Sequence, residues 1–249
     1  MMTGNVSQEP GAADLHLHTR YSDGVVSVDE LLDQALEHCH LNVIAVTDHD
    51  TIRGGFAARE RAVQRGLPIE VVVGVEVNTL WGHLIALYVE DQIPSLRPLP
   101  NTIEAVHQLG GLCIVPHPFA FWVPSVGRRA LRKLRGLGPG YCPIGVEAFS
   151  GFNAHLDDPD LRSFARVGGS DAHMAAQVGS RYTRFKGTTA QDLRRSLLQG
   201  ETVPARGQRP SVRELSSSVA EITLRSLVAT PSRVASQVLG TEWKPGQNP

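Results

Sequence analysis

The sequence predicts an α/β fold in which parallel strands are joined by helical crossovers, and three observations predict it. Short apolar, β-branched runs alternate with stretches whose apolar residues recur at helical spacing. The 249 residues suit one undivided domain of the size that α/β barrels reach. The strand-like runs also end in potential cation ligands: ADLHLH, NVIAVTDHD, EVVVGVEV and GLCIVPHP finish on or beside histidine, aspartate or glutamate.

Taken in order, ADLHLH is the first strand and HTRYSDG its loop. Ser27 and Glu30 then form a capping box in front of the helical stretch VDELLDQALEHC. NVIAVTDHD is a second strand, followed by a helix in GGFAARERAVQRG that Gly66 can close. EVVVGVEVNTL and HLIALYV, separated by Trp81 and Gly82, are either successive strands or a hairpin. TIEAVHQLGG is a short helix, and GLCIVPHP is a strand in which Pro116 and Pro118 hold His117 out of helical conformation. PSVGRRALRKLRGLGPG is a basic helix, IGVEAFSGF a strand, LDDPDLRSFARVG a short helix and VGGSDAH the last ligand-bearing strand. TTAQDLRRSLLQGE is amphipathic, with Leu193, Leu197 and Leu198 on one face.

Domain boundaries follow. Residues 1–12 are a polar, unordered leader, 13–206 the barrel and 207–249 an extension that is first helical, then unordered. In that extension Leu215, Val219, Ile222 and Leu227 form a stripe that suits packing on the barrel or pairing with a second subunit, so the oligomeric state stays open.

Composition narrows the function. A 41% hydrophobic content supplies a sizeable core, and a net charge of −1 offers no global attraction to nucleic acid, which is then expected only as a substrate. Cys39, Cys113 and Cys142 are far apart and match no zinc spacing, which points to a reducing, cytoplasmic setting. No apolar run approaches a membrane span, and the polar start MMTGNVSQEPGA lacks the apolar core of a signal peptide.

The chemistry lies in the ligand pattern. His16 and His18, and again Asp171 and His173, stand two residues apart, so each pair aims two groups at one point if its strand is extended. For His38, His40 and His107 the ordinary reading, a hydrogen-bonded structural residue, prevails. Asp48 and Asp50 either orient ligand histidines or cap the next helix.

An HxH with a TxxSDG loop, then TDHD, a glutamate after GV, PHP around a histidine and a terminal SDAH together resemble the polymerase and histidinol phosphatase (PHP) domain family, across roughly residues 13–206. The resemblance implies a distorted (β/α)7 barrel of the PHP type, carrying two to three divalent metals at the C-terminal strand ends. By similarity, His16, His18, Glu76 and Asp171 would hold the first metal, and Glu76 would bridge to a second that is also held by His117. Asp23, His49 and His173 would hold a third. The second site needs a further ligand: His83, seven residues after Glu76, is favoured over His155, and Glu147 lies in the same stretch as His155.

Imidazole and carboxylate ligands suit Zn²⁺, Mn²⁺ or Fe²⁺. The implied activity is hydrolysis of a phosphoester of a small metabolite, nucleotide or nucleic-acid end by a metal-activated hydroxide, with Glu76 and Asp171 as its catalytic carboxylates. Arg20 and Arg128 are the expected phosphate binders, because a guanidinium fork matches two phosphate oxygens. The alternatives are a metal hydrolase of a non-phosphate bond and a non-catalytic metal-binding module.

Overall fold

The computed structural model of the chain describes residues 10–150, 153–154, 158–211, 214, 219–228 and 235. Among them nine strands form one sheet, in the order β11-β10-β1-β2-β3-β4-β5-β6-β9. The central strands are β1 (Gly11–Leu17), β2 (Val43–Val46), β3 (Glu70–Thr79), β4 (Gly82–Leu87), β5 (Leu112–Val115) and β6 (Gly145–Glu147). A two-stranded ribbon, β7 (Phe149–Ser150) with β8 (Asn153–Ala154), follows. The outer strands are β9 (Ala165–Val167), β10 (Arg181–Phe185) and β11 (Val203–Arg206).

Pairing is parallel between β1 and β2, β2 and β3, β5 and β6, and β6 and β9. The sheet curls until the segment after β9 returns to β1, where Asp171 N–H donates to the His16 carbonyl at 3.0 Å and Leu17 bridges Ala172. This is a nearly closed, distorted α/β barrel, as predicted. The distortions have local causes. β3 and β4 form an antiparallel hairpin in register Thr79↔Gly82, which settles the choice the sequence left open. β10 pairs antiparallel with β1 and with β11.

The helices follow their signals. α1 (Val28–Asp33) begins at the Ser27–Glu30 capping box and runs into a wider π turn at Gln34–His38. α2 (Arg53–Gln64) stops before Gly66, which sits at φ +61°. α3 (Leu99–Gln108), α4 (Arg128–Leu137) and α5 (Ala190–Gln199) come next, the last with a Thr189–Asp192 capping box. Leu193 and Leu197 of α5 are buried, whereas Leu198 is 54% exposed, so the apolar face is narrower than its sequence suggests.

Several elements differ from expectation. The stretch before β9 forms only a single 3-10 turn at Pro159–Leu161, because Pro159 and the Asp158 cap favour a tight turn over a helix. SDAH is not a regular strand, since Asp171 takes φ +56°. β1 begins at Gly11, two residues inside the segment expected to be unordered, because Gly11 and Ala12 pair with Phe185 and Arg184. Residues 219–228 are helical, but Val219 and Leu227 of the expected stripe are 53% and 71% exposed. Leu215, residues 1–9 and most of the remaining tail lie outside the described residues. No described helix is long and apolar enough to cross a membrane.

Candidate metal centre

Strand ends converge at one end of the barrel. His16 lies in β1 and His18 just beyond it, and both are fully buried with ring centroids 5.0 Å apart. His49 and Asp50 leave β2 and remain tied to β3, where His49 bridges Glu76 and Asp50 N–H donates to the Glu76 carbonyl. His83 opposes Asn78 across the β3–β4 hairpin. Alternation along β3 puts Asn78 on the face of Glu76, so His83 joins Glu76 on that face. His117 follows β5 and holds φ +29°.

Glu76 sits at the middle, fully buried. Its Oε2 lies 3.0 Å from His16 Nε2, 3.1 Å from His18 Nε2 and 3.5 Å from His49 Nδ1. Its Oε1 lies 2.8 Å from His83 Nδ1 and 3.1 Å from His117 Nε2. Asp171 Oδ1 approaches His16 Nε2 at 3.4 Å and His18 Nε2 at 3.3 Å, and its side chain is 36% exposed. On the far side, Asp23 Oδ2 lies 3.7 Å from His49 Nε2 and 3.4 Å from His173 Nε2. Three groups have ligand atoms within 4.8 Å of one another: His16, His18, Glu76 and Asp171; His49, Glu76 and His83; and His18, Asp23, His49 and His173. The structure thus brings together all nine candidate ligands, whereas His155 lies outside the described residues.

The donors fit divalent ions. His18 Nε2, His49 Nδ1 and His83 Nδ1 are buried and near Glu76 oxygens, yet none is aligned in a hydrogen bond. Nitrogen and oxygen lone pairs that converge at this depth could hold a divalent cation between them.

Protonation shows the same demand. Burial pushes His16 down, but the charges of Glu76, Asp171 and Glu147 overcome it and raise its pKa well above the usual imidazole value. Against the same opposition from burial, the neighbouring carboxylates of Asp171, Glu76 and Asp23 raise His18 to about 10. Burial, which dominates at His49, lowers it to about 3. Burial acts to raise Glu76, Asp171 and Asp23, yet the surrounding histidines hold all three well below the carboxylate range. Without an ion, protons on histidines balance the buried carboxylates.

A supporting layer holds these groups in place. Glu147 Oε1 accepts from His16 Nδ1 at 2.9 Å, and Oε2 accepts from the backbone N–H of His117 at 2.7 Å. Glu147 therefore stands behind the first ligand group as a histidine-orienting acceptor. The repeated GVE of β3 and β6 was the signal for it. Gly169 makes room for this contact, since a Cβ there would meet Glu147 Oε1 at 2.5 Å.

Asp48 touches no ligand histidine directly, reaching His18 Nδ1 only through Ser22 Oγ at 3.5 Å, and it does not cap α2. It accepts from Thr19 N–H at 2.8 Å, from Thr19 Oγ1 at 2.7 Å and from Ser22, so it fastens the loop after the HxH pair. Asp50 likewise accepts from Asn78 N–H at 2.9 Å and from Ser95 Oγ at 2.5 Å.

The expected phosphate binders point elsewhere. Arg20 donates to the Val25 carbonyl at 2.9 Å and lies 3.7 Å from Glu30. Arg128 forks onto Asp158 at 2.8 and 2.5 Å and stacks on Phe119, because the turn at Pro159 delivers acids to α4. Neither lines the cleft of about 360 Å³ that opens beside His117, Glu147 and Asp171. Arg181, Arg206 and Arg209 do. Sequence reading missed Arg206 and Arg209, which lie at the end of the barrel pattern with no ligand motif beside them.

Comparison with known proteins agrees with this geometry. An uncharacterised protein of Methanocaldococcus jannaschii is 35% identical over 128 residues, 47% of this chain and 73% of that one. A 5′-3′ exoribonuclease of Salmonella typhimurium is 32% identical over 127 residues, covering 49% of this chain and 43% of the enzyme. A 3′,5′-nucleoside bisphosphate phosphatase of Chromobacterium violaceum is 37% identical over 87 residues, covering 33% and 30%. The chain thus spans less than half the length of either enzyme. A solved two-domain protein of Bacteroides vulgatus, described as containing a predicted PHP-like metal-dependent phosphoesterase, shares the fold. It aligns with a TM-score of 0.64 at 17% identity, over 90% of this chain and 74% of that one. The PHP-associated family profile matches residues 160–202, and the PHP domain profile matches residues 14–134, from β1 through β5 into α4. The chain belongs to the PHP domain family.

Proposed function

We propose that this protein is a metal-dependent phosphoesterase with a di- or trinuclear centre. The observation that carries the reading is the division of Glu76, whose Oε2 faces His16, His18 and His49 while Oε1 faces His83 and His117. Such a carboxylate suits a bridge between two ions. In this assignment His16, His18, Glu76 and Asp171 hold the first metal, Glu76, His83 and His117 the second, and Asp23, His49 and His173 the third.

The all-imidazole and carboxylate set supports Mn²⁺, Zn²⁺ or Fe²⁺. When bound, adjacent divalent ions neutralise phosphate oxygens and acidify a water near neutral pH. The chain's own residues do the positioning. Glu147 accepts from His16 Nδ1 and leaves Nε2 turned toward Glu76 and Asp171. Asp171, its side chain 36% exposed, is where the cleft meets the centre and where the phosphoester would enter. The free cysteines Cys39, Cys113 and Cys142 accord with a reducing compartment.

The test is phosphate release by metal-analysed protein reconstituted with Mn²⁺, Zn²⁺ or Fe²⁺, across phosphomonoesters, nucleotide bisphosphates, phosphodiesters and short oligonucleotides. Turnover that Asp171→Asn abolishes supports the reading. Full metal occupancy with no turnover on any of these compounds overturns it.

A further inference from the structure

Asp14 is a fully buried carboxylate in β1 that belongs to none of the three ligand groups. A carboxylate at this depth needs its lone pairs occupied, and three backbone N–H groups occupy them. Oδ1 accepts from Ser170 N–H at 2.9 Å and from His16 N–H at 3.4 Å, while Oδ2 accepts from Gly179 N–H at 2.8 Å. One side chain on the first strand is thereby joined to two points of the chain more than 150 positions later.

Those two points bracket the segment that carries Asp171 and His173. Its one regular element is the 3-10 turn Ala175–Gln177, so it has little secondary structure to hold its shape. Its backbone is also unusual, with Asp171 at φ +56° and Gly179 at φ +70°. The left-handed region is unfavourable for a residue with a Cβ, and such a residue stays there only where its surroundings fix it. The fixing bonds are on the page. Ser170 N–H is held by Asp14, Asp171 N–H by the His16 carbonyl at 3.0 Å, and His173 N–H by Gln177 Oε1 at 2.9 Å. Gly179 N–H, held by the other oxygen of Asp14, closes the far end.

We propose that Asp14 is a positioning residue of the metal centre: it staples Ser170 and Gly179 to β1, and so aims Asp171 at the first ion and His173 at the third. The second ion, assigned to Glu76, His83 and His117, has no ligand on the stapled segment and is independent of it. The inference rests on the metal assignment of the phosphoesterase reading and adds to it a residue that touches no ion. It also requires a carboxylate at position 14. Both oxygens accept from backbone N–H groups, so whichever way an Asn amide turned, its NH₂ would meet one of those donors. Asp14→Asn keeps nearly the same volume and breaks the staple at Ser170 or at Gly179.

The experiment counts the zinc ions that the full chain retains when it is loaded with Zn²⁺ and equilibrated with increasing chelator. Asp14→Asn should bind the first and third ions about 10- to 100-fold more weakly, the usual cost of removing a group that orients ligands, and keep one ion at wild-type affinity. Adding His83→Ala to Asp14→Asn should then remove that last ion. A substitution that merely loosened the fold would weaken all the ions together. Gly179→Ala disturbs the same staple from its other side, since φ +70° disfavours a side chain and a Cβ would meet Cys39 at 2.8 Å. It should give the same selective loss, and it carries the test if Asp14→Asn does not fold. Equal weakening of every ion, or no weakening in either variant, overturns the staple and leaves the phosphoesterase reading standing. A wild-type chain that retains no zinc, manganese or iron overturns the metal assignment itself.

Discussion

Glu76 and Glu147 occupy equivalent places in two GVE sequences but do different work, because their surroundings differ. Glu76 faces five imidazole nitrogens and, among the described residues, takes no backbone N–H on its carboxylate. Glu147 accepts one imidazole proton and one backbone N–H. Glu76→Gln should therefore lower bound metal and phosphatase activity together while the fold survives, as read by metal analysis and circular dichroism. Unchanged metal content would rule out bridging. Glu147→Gln keeps the shape but weakens the acceptor behind His16, so metal affinity should fall about 10- to 100-fold. Competition with a chelator measures this, and an unaltered affinity would leave Glu147 a purely structural role.

Elements decide which residues meet. The β3–β4 hairpin turns on Gly82, whose φ of +117° and whose place 2.5 Å from the Ser125 carbonyl carbon, measured from a built Cβ, leave no room for a side chain. Gly82→Ala should displace His83 and reduce metal bound per chain, with the loss confined to the second ion. Full occupancy in that variant would remove His83 from the assignment. The helix at residues 219–228 also reaches the centre: Ser226 Oγ donates to Asp23 Oδ2 at 2.7 Å and Arg225 donates to the Arg20 carbonyl at 2.9 Å. These polar contacts join it to the loop after β1, and Ile222 on the same helix is half-buried. Ser226→Ala should weaken the third ion relative to the other two in a metal titration, and equal loss across all three would contradict this placement.

For the molecule as a whole, metal and protons compete for the same nitrogens. In the metal-free protein the pKa values of His16 and His18 are raised, the latter to about 10, against about 6.5 in an unfolded chain. The sign follows: their stabilisation is complete below pH ~6.5 and is lost as pH climbs toward 10. Chelated protein should lose Tm across that window, whereas metal-loaded protein, whose histidines are neutral ligands, should not. Metal affinity should rise with pH over the same range, with protons released on binding, which calorimetry in buffers of different ionisation enthalpy would show. A chelated protein with a flat Tm between pH 6.5 and 10 would contradict the coupled site.

Local signals made much of this legible from the chain alone. Strand runs, the capping box at Ser27, the Gly66 stop and the order of the ligand motifs depend on period, turn chemistry and residue type over a few positions, so the alternating α/β pattern and the candidate ligand residues were legible in the chain. The distorted barrel and the grouping of those ligands came from the resemblance to the PHP family. Long-range placement was not legible. That His83 stands beside Glu76 depends on antiparallel register, and that Arg128 is taken up by Asp158 and Asp160 depends on a turn thirty residues away. The arginine cleft depends on strands β10 and β11 returning to the far edge of the sheet. A side chain's partner is set by which backbones lie within a few ångströms, and only the closed tertiary structure decides that.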